Sequence, residues 1–199
     1  MGTKFSTRVW VSVVGIASIF FGSKGYADTV ISVADFGLKP DTRENAVAYV
    51  QKAIEACRGK EPVTLVFPEG RYDFWPQYAH EKNYYETNTY DVFPKRLAML
   101  FEGLHNITVD GNGSQFVMHD RIQPITVENC DGVTLKNFSI DWDIPLTAQA
   151  RVTKVGSDFF EIEINVLESP YIIEDGKLVF VGEGWKSALG SMIEFESDT

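Results

Sequence analysis

The feature that most constrains this chain is a register. Written beneath itself with an offset of 26, MLFEGLHNITVDG (99–111) falls on ITVENCDGVTLKN (125–137) without a gap. Met99 and Phe101 then align with Ile125 and Val127, and Ile107 and Val109 align with Val133 and Leu135. Polar positions agree as well, Glu102 with Glu128 and Thr108 with Thr134. QFVM (115–118) adds a further strand within the first unit. Short strands at a fixed period predict equivalent strands stacked about 4.8 Å apart as a parallel ladder, the pattern of a parallel β-helix. Asn106, Asn112, Asn129 and Asn137 fall at the corners, where asparagine tolerates turn geometry and bonds the backbone.

The flanking segments fit an end-covered stack. VISVADFG predicts a short strand, and KPDTRE a helix start in which Asp41 caps and Glu44 completes a capping box. Ala46, Val47, Val50, Ala53, Ile54 and Cys57 recur on one helical face over residues 42–58, and Gly59 ends the run. Such a helix is suited to cover the open end of the coils, which would otherwise expose apolar interior and unpaired backbone. VTLVF (63–67) reads as a strand, and PEG (68–70) turns into RYDFW. Residues 76–94 show no period, and a loop this long tends to be a functional or contact excursion. Its Tyr84, Tyr85 and Tyr90 could line a sugar site or pack the loop down. Past Ala150 the rhythm changes: RVTKVGSDFFEIEIN alternates on both sides of Gly156-Ser157-Asp158, as an antiparallel hairpin does, and KLVFVG follows as a strand.

The first residues suggest export. Lys4 and Arg8 precede the apolar run VWVSVVGIASIFF (9–21), and Gly25-Tyr26-Ala27 resembles a signal-peptidase site. The run is short for a membrane-spanning helix, so an anchor is the less favoured alternative. Cleavage after Ala27 would remove Lys4, Arg8 and Lys24 and take the formal charge from -10 to -13. That acidity disfavours nucleic acid and anionic membrane as partners. Cys57 and Cys130 could pair in an oxidising compartment, but a helix-face thiol and a turn thiol read better as two free cysteines. His80, His105 and His119 have no metal-ligand spacing.

ISVADFG, the helix ending in AIEAC and VTLVFPEGRYDF together resemble the opening of pectin-lyase-like β-helix enzymes. The continuation RLAMLFEGLHNITVDGNGSQFVMHDRIQPITVENCDGVTLKNFSIDWDIP is more particular. It resembles the exo-α-1,3-galactosidases of glycoside hydrolase family 110, from about Ile31 to the end of the chain. The resemblance implies a mainly β protein, a right-handed parallel β-helix with an N-terminal capping α-helix, followed by the start of a small antiparallel β domain. The expected division is a signal peptide over 1–27, cap and first coils over 28–149, and a truncated inserted domain over 150–199. The implied activity is an exported, periplasmic or secreted, hydrolase removing terminal α-1,3-linked galactose with inversion. No metal or organic cofactor is implied. The expected partner is a glycan substrate, with self-association into a homo-oligomer left open. A non-catalytic glycan-binding or surface β-helix is the alternative, as is a pectin-type hydrolase or lyase, which the acidic charge disfavours.

The resemblance places the catalytic acids beyond Thr199, so no catalytic residue is assigned and the segment alone is expected to be inactive. The candidate substrate-binding residues are Asp141, Trp142 and Asp143, in NFSIDWDIPLTAQA (137–150). Paired carboxylates around an indole suit sugar chemistry. Two acids on one strand face sit too close for an inverting pair, whose carboxyls lie ~6.5–9.5 Å apart. They remain candidates for a cleft wall or a structural corner, and two isolated aspartates fall short of a calcium site. His119-Asp120-Arg121 reads as a solvated corner or an Arg–Asp pair, and Asp110-Gly111-Asn112-Gly113 as a tight turn.

Overall fold

The computed structural model describes residues 29–84, 94–190 and 192–196. The expected signal peptide, Tyr85 and Tyr90 lie outside the described residues. Strand β1 (Thr29–Ser32) runs into a 3₁₀ turn, Val33–Phe36, and helix α1 covers Val47–Cys57. Strands β2 (Val63–Val66), β3 (Arg71–Phe74), β4 (His80–Lys82), β5 (Lys95–Glu102) and β6 (His105–Met118) follow. Next come β7 (Gln123–Glu128), β8 (Asp131–Trp142), β9 (Arg151–Val155) and β10 (Phe160–Glu163). The last are β11 (Tyr171–Glu174), β12 (Lys177–Gly182) and β13 (Trp185–Ala188).

The 26-residue offset is a pairing register. Met99 lies opposite Ile125 and Phe101 opposite Val127 in the parallel pair β5–β7. Ile107 lies opposite Val133 and Val109 opposite Leu135 in β6–β8. All four predicted corner asparagines, Asn106, Asn112, Asn129 and Asn137, take positive φ between 48° and 60°, a region their short polar side chains tolerate. Between Asp110 and Ser114 the β6–β8 register shifts by two residues. There Gly111 lies close to β8: a Cβ on it would meet the Phe138 Cβ at 2.5 Å and the Asn137 carbonyl oxygen at 2.7 Å.

The expected right-handed parallel β-helix is not what the described residues form. They make four small sheets and one short helix: a five-stranded parallel sheet of β1, β2, β6, β3 and β8, a three-stranded sheet β4–β5–β7, the pair β9–β10, and β11–β12–β13. The repeat supplies one step of stacking in each of two sheets. β4 then joins β5 antiparallel, and both sheets past β8 are antiparallel.

The helix also differs from expectation. It starts at Val47 behind Ala46, whose own side chain offers no cap. Asp41 and Arg43 both have φ of 61°, which breaks the helix before the predicted first turn. The Asp41 carboxylate instead accepts the Arg71 N–H at 2.9 Å. Asn45 takes over at the helix start, its Oδ1 accepting from Val47 N at 3.1 Å. A capping box does occur, between Ser32 and Asp35 on the 3₁₀ turn.

The predicted apolar stripe is real: Val47, Val50, Ala53, Ile54 and Cys57 are buried, and α1 packs against β1, β2 and β5. The same core holds an aromatic cluster. Phe67 meets Tyr72 edge-on at 5.4 Å, and Phe116 packs on Phe67 at 4.7 Å and Phe138 at 4.8 Å. Each such pair adds about 0.5–1.5 kcal/mol beyond burial. Cys57 and Cys130 are both free thiols. Tyr84 packs onto the scaffold, its hydroxyl donating to Glu128, which Lys82 also holds at 2.8 Å.

Candidate functional site

Strand register brings together residues that are far apart in sequence. Along β3, β6 and β8, Phe74 pairs with Met118, and Met118 with Trp142. One position further on, the His119 N–H donates to the Phe74 carbonyl at 2.9 Å, and the Asp143 N–H to the Met118 carbonyl at 3.0 Å. Trp75, His119 and Asp143 therefore form a row across three strand ends. Neighbours in such a ladder are about 4.8 Å apart, close enough for flat rings to stack. The Trp75 and His119 rings do so, with centroids 3.8 Å apart and planes 8° from parallel.

A charge network lies behind this row. Arg71 and Asp73 are two apart on β3 and share a face. The Arg71 Nε donates to both Asp73 carboxylate oxygens at 3.0 Å, and its Nη2 reaches Asp73 Oδ1 at 2.5 Å and Asp143 Oδ1 at 2.7 Å. His119 Nε2 lies 2.9 Å from Asp73 Oδ1, and its Nδ1 lies 2.9 Å from both Glu183 oxygens. Both ring nitrogens thus face carboxylates. Glu183 follows β12 directly, so His119 ties the antiparallel segment to the edge of the parallel sheet.

The side chain of Asp73 is fully buried. Burial alone would raise its pKa, but hydrogen bonds and charge from Arg71 and His119 outweigh that and hold it below the usual aspartate value. Its partner Arg71 is held above the ordinary arginine value chiefly by the hydrogen bond to Asp73, with burial opposing and Asp143 adding. Asp73, His119 and Asp143 could offer a cation three ligand atoms within 4.8 Å of one another. The Arg71 guanidinium already bridges the two carboxylates, so a cation would have to displace it.

The predicted site residues divide between two places. Asp141 is exposed, its Oδ1 accepting the Trp142 N–H at 2.8 Å. Trp142 is half-buried against the core, and its indole N–H donates to the Asp120 carbonyl at 3.2 Å. These two border a shallow depression of about 360 Å³ with Pro145, Leu146 and Thr147. Asp143 instead faces Arg71, with Arg43 3.6 Å away. A larger open cleft of about 810 Å³ lies in front of Trp75, with Arg43, Tyr78, Asp120 and Glu183 in its wall.

His119 is not the solvated corner that its neighbours Asp120 and Arg121 suggest: it is 3% exposed and fully engaged. A signal for it existed. RYDFW (71–75), QFVMH (115–119) and SIDWD (139–143) stack residue on residue in the observed register. Glu183 carries no comparable signal, because it arrives from outside the repeat.

A family model described as GLAA-B beta-barrel domain I matches residues 148–199. Alpha-1,3-galactosidase B of Bacteroides thetaiotaomicron is 60% identical over 173 residues, covering 87% of this chain and 28% of that protein. Alpha-1,3-galactosidase A of Shewanella woodyi is 36% identical over 84% of this chain and 28% of its own length. Alpha-1,3-galactosidase B of Akkermansia muciniphila is 30% identical over 88% of this chain and 22% of its own length. These relatives define one class, that of proteins named as galactosidases. The chain is similar to α-1,3-galactosidases over most of its own length, and it spans about 28% of the length of the first two relatives.

Proposed function

We propose that the full-length protein is an exported, exo-acting glycosidase that removes terminal α-1,3-linked galactose with inversion. The observation that carries this reading is the 60% identity to a protein named alpha-1,3-galactosidase B. Inversion needs an acid and a base on opposite sides of the scissile bond, with room for water between them. Asp73 and Asp143 share one guanidinium, and that engagement makes them poor candidates for either role. The catalytic acids are therefore assigned to the remainder of the full-length protein, and this segment alone is inactive.

Within that reading, Asp141 and Trp142 contribute to a substrate-contacting wall, supported by the depression they border. Asp143 serves the same wall by anchoring the turn to Arg71. Residues 150–199 are the start of an inserted antiparallel β domain, supported by the family match over 148–199 and by the antiparallel sheets there. The test is incubation of the full-length protein with an α-1,3-linked digalactoside, followed by proton NMR. Release of galactose, appearing first as the β anomer, is expected. No release, with cleavage of polygalacturonate instead, overturns the proposal.

A further inference from the structure

The cleft in front of Trp75 is separate from the Asp141–Trp142 depression, and three observations bear on what could fill it. The first is a fixed aromatic platform. The Trp75 backbone N–H donates to Asn45 Oδ1 at 3.3 Å, and its carbonyl accepts from Asn45 Nδ2 at 3.4 Å. Asn45 Nδ2 also holds the Gln77 carbonyl at 3.0 Å, so one side chain shapes the whole 75–77 turn. One face of the indole is covered by the buried His119 ring, which leaves the opposite face for the cleft that Trp75 lines. A ring locked in this way loses little freedom when a ligand stacks on it.

The second observation is the balance of charge. Arg43 and Arg96 face Glu81, Asp120 and Glu183 around the cleft, and His119 sits directly behind Glu183. Mixed signs give hydrogen-bond donors and acceptors without the net positive field that a polyanionic chain requires. The third is size and access. At about 810 Å³ the cleft lies within the ~300–1,000 Å³ range of small-molecule sites, and Tyr78 at its rim is 73% exposed.

We propose that this cleft is a glycan subsite for a neutral, galactose-terminated oligosaccharide, with Trp75 as the stacking platform. The proposal deepens, and rests on, the galactosidase reading above. Galactose suits the platform because its axial 4-hydroxyl leaves three C–H groups on the opposite face of the ring. That apolar patch covers an indole, while the hydroxyls around it reach the charged rim.

The experiment is isothermal titration of the full-length protein with a thio-linked α-1,3-galactotrioside, which resists hydrolysis. The Trp75→Ala and Tyr78→Ala variants and a Lys154→Ala control on the distant hairpin are titrated in parallel. The expected result is a binding step that weakens about 10-fold in Trp75→Ala, is reduced in Tyr78→Ala, and persists in the control. If Trp75→Ala fails to fold, Tyr78→Ala carries the same decision from an exposed position. Unchanged affinity in the folded variants overturns the subsite, as does wild-type preference for an oligogalacturonate. Galactose release by the wild type is scored separately. Release with unchanged variant binding removes the subsite and keeps the activity, whereas no release with lost variant binding does the reverse.

Discussion

The most demanding prediction concerns Asp73→Asn in the full-length protein. The substitution keeps the shape but removes the anion that both Arg71 and His119 contact. It also places an amide donor where only acceptors are wanted. Breaking a buried ion pair from one side costs about 3–5 kcal/mol. Arg71 keeps Asp143 and His119 keeps Glu183, so the lower end, about 3 kcal/mol, applies here. That corresponds to a rise of roughly 150-fold in the local opening equilibrium. Hydrogen exchange followed by mass spectrometry reads it locally, in peptides covering residues 115–119, where a whole-molecule melt of a long chain would blur it. The pH dependence supplies a second check. The native pKa of Asp73 is depressed, so its stabilisation is complete above the unfolded value of about 3.9 and is lost as pH falls through the lower native value. Wild type and variant should therefore differ at pH 7 and converge in acid, after correction for intrinsic exchange. Protection in the variant within about threefold of wild type at pH 7 would refute the claim that this network closes the sheet edge.

Two further outcomes test the packing. Burial pushes the Cys57 thiol up to about 11, so at pH 8 it should resist iodoacetamide in the native protein and react only on unfolding; rapid native labelling of that peptide would contradict the burial. Gly111→Ala drives a Cβ into the Phe138 Cβ and the Asn137 carbonyl, and should destabilise by about 1–3 kcal/mol. Gly113→Ala, with φ of 84° but open space around it, should cost less, and the reverse ranking in native-state proteolysis would count against the β6–β8 register.

What the sequence disclosed was mainly local and periodic. The offset of 26 gave the partners of β5, and those of β6 as far as Asp110, residue by residue, because a parallel ladder preserves register until the shift between Asp110 and Ser114. The helix face was legible for the same reason, through its spacing. Its start was not: Asp41 and Thr42 look like cap residues, but a tertiary contact wins, since Arg71 N–H takes the Asp41 carboxylate and Asn45 takes the helix start. The overall architecture was over-extended from two repeats. Periodicity says which strands pair but not how many such steps follow. Beyond β8 the chain turns to antiparallel pairing, which was legible in the alternation on both sides of Gly156-Ser157-Asp158 and not in the repeat.

The site followed the same rule with one exception. Trp75, His119 and Asp143 meet because each lies one residue past paired positions on β3, β6 and β8. Such a row can be found by stacking the sequences of three strands, without inspecting any single residue for chemical character. Glu183 reaches His119 from a different sheet, and no pattern within the repeat leads to it. That contact matters most for how the segment works. His119 supports the Trp75 ring on one side and holds Glu183 on the other, so the cleft wall and the attachment of the antiparallel segment depend on the same imidazole. A ligand that presses on Trp75 therefore acts on the joint between the two sheets, and a change that frees Glu183 loosens the surface on which that ligand would rest.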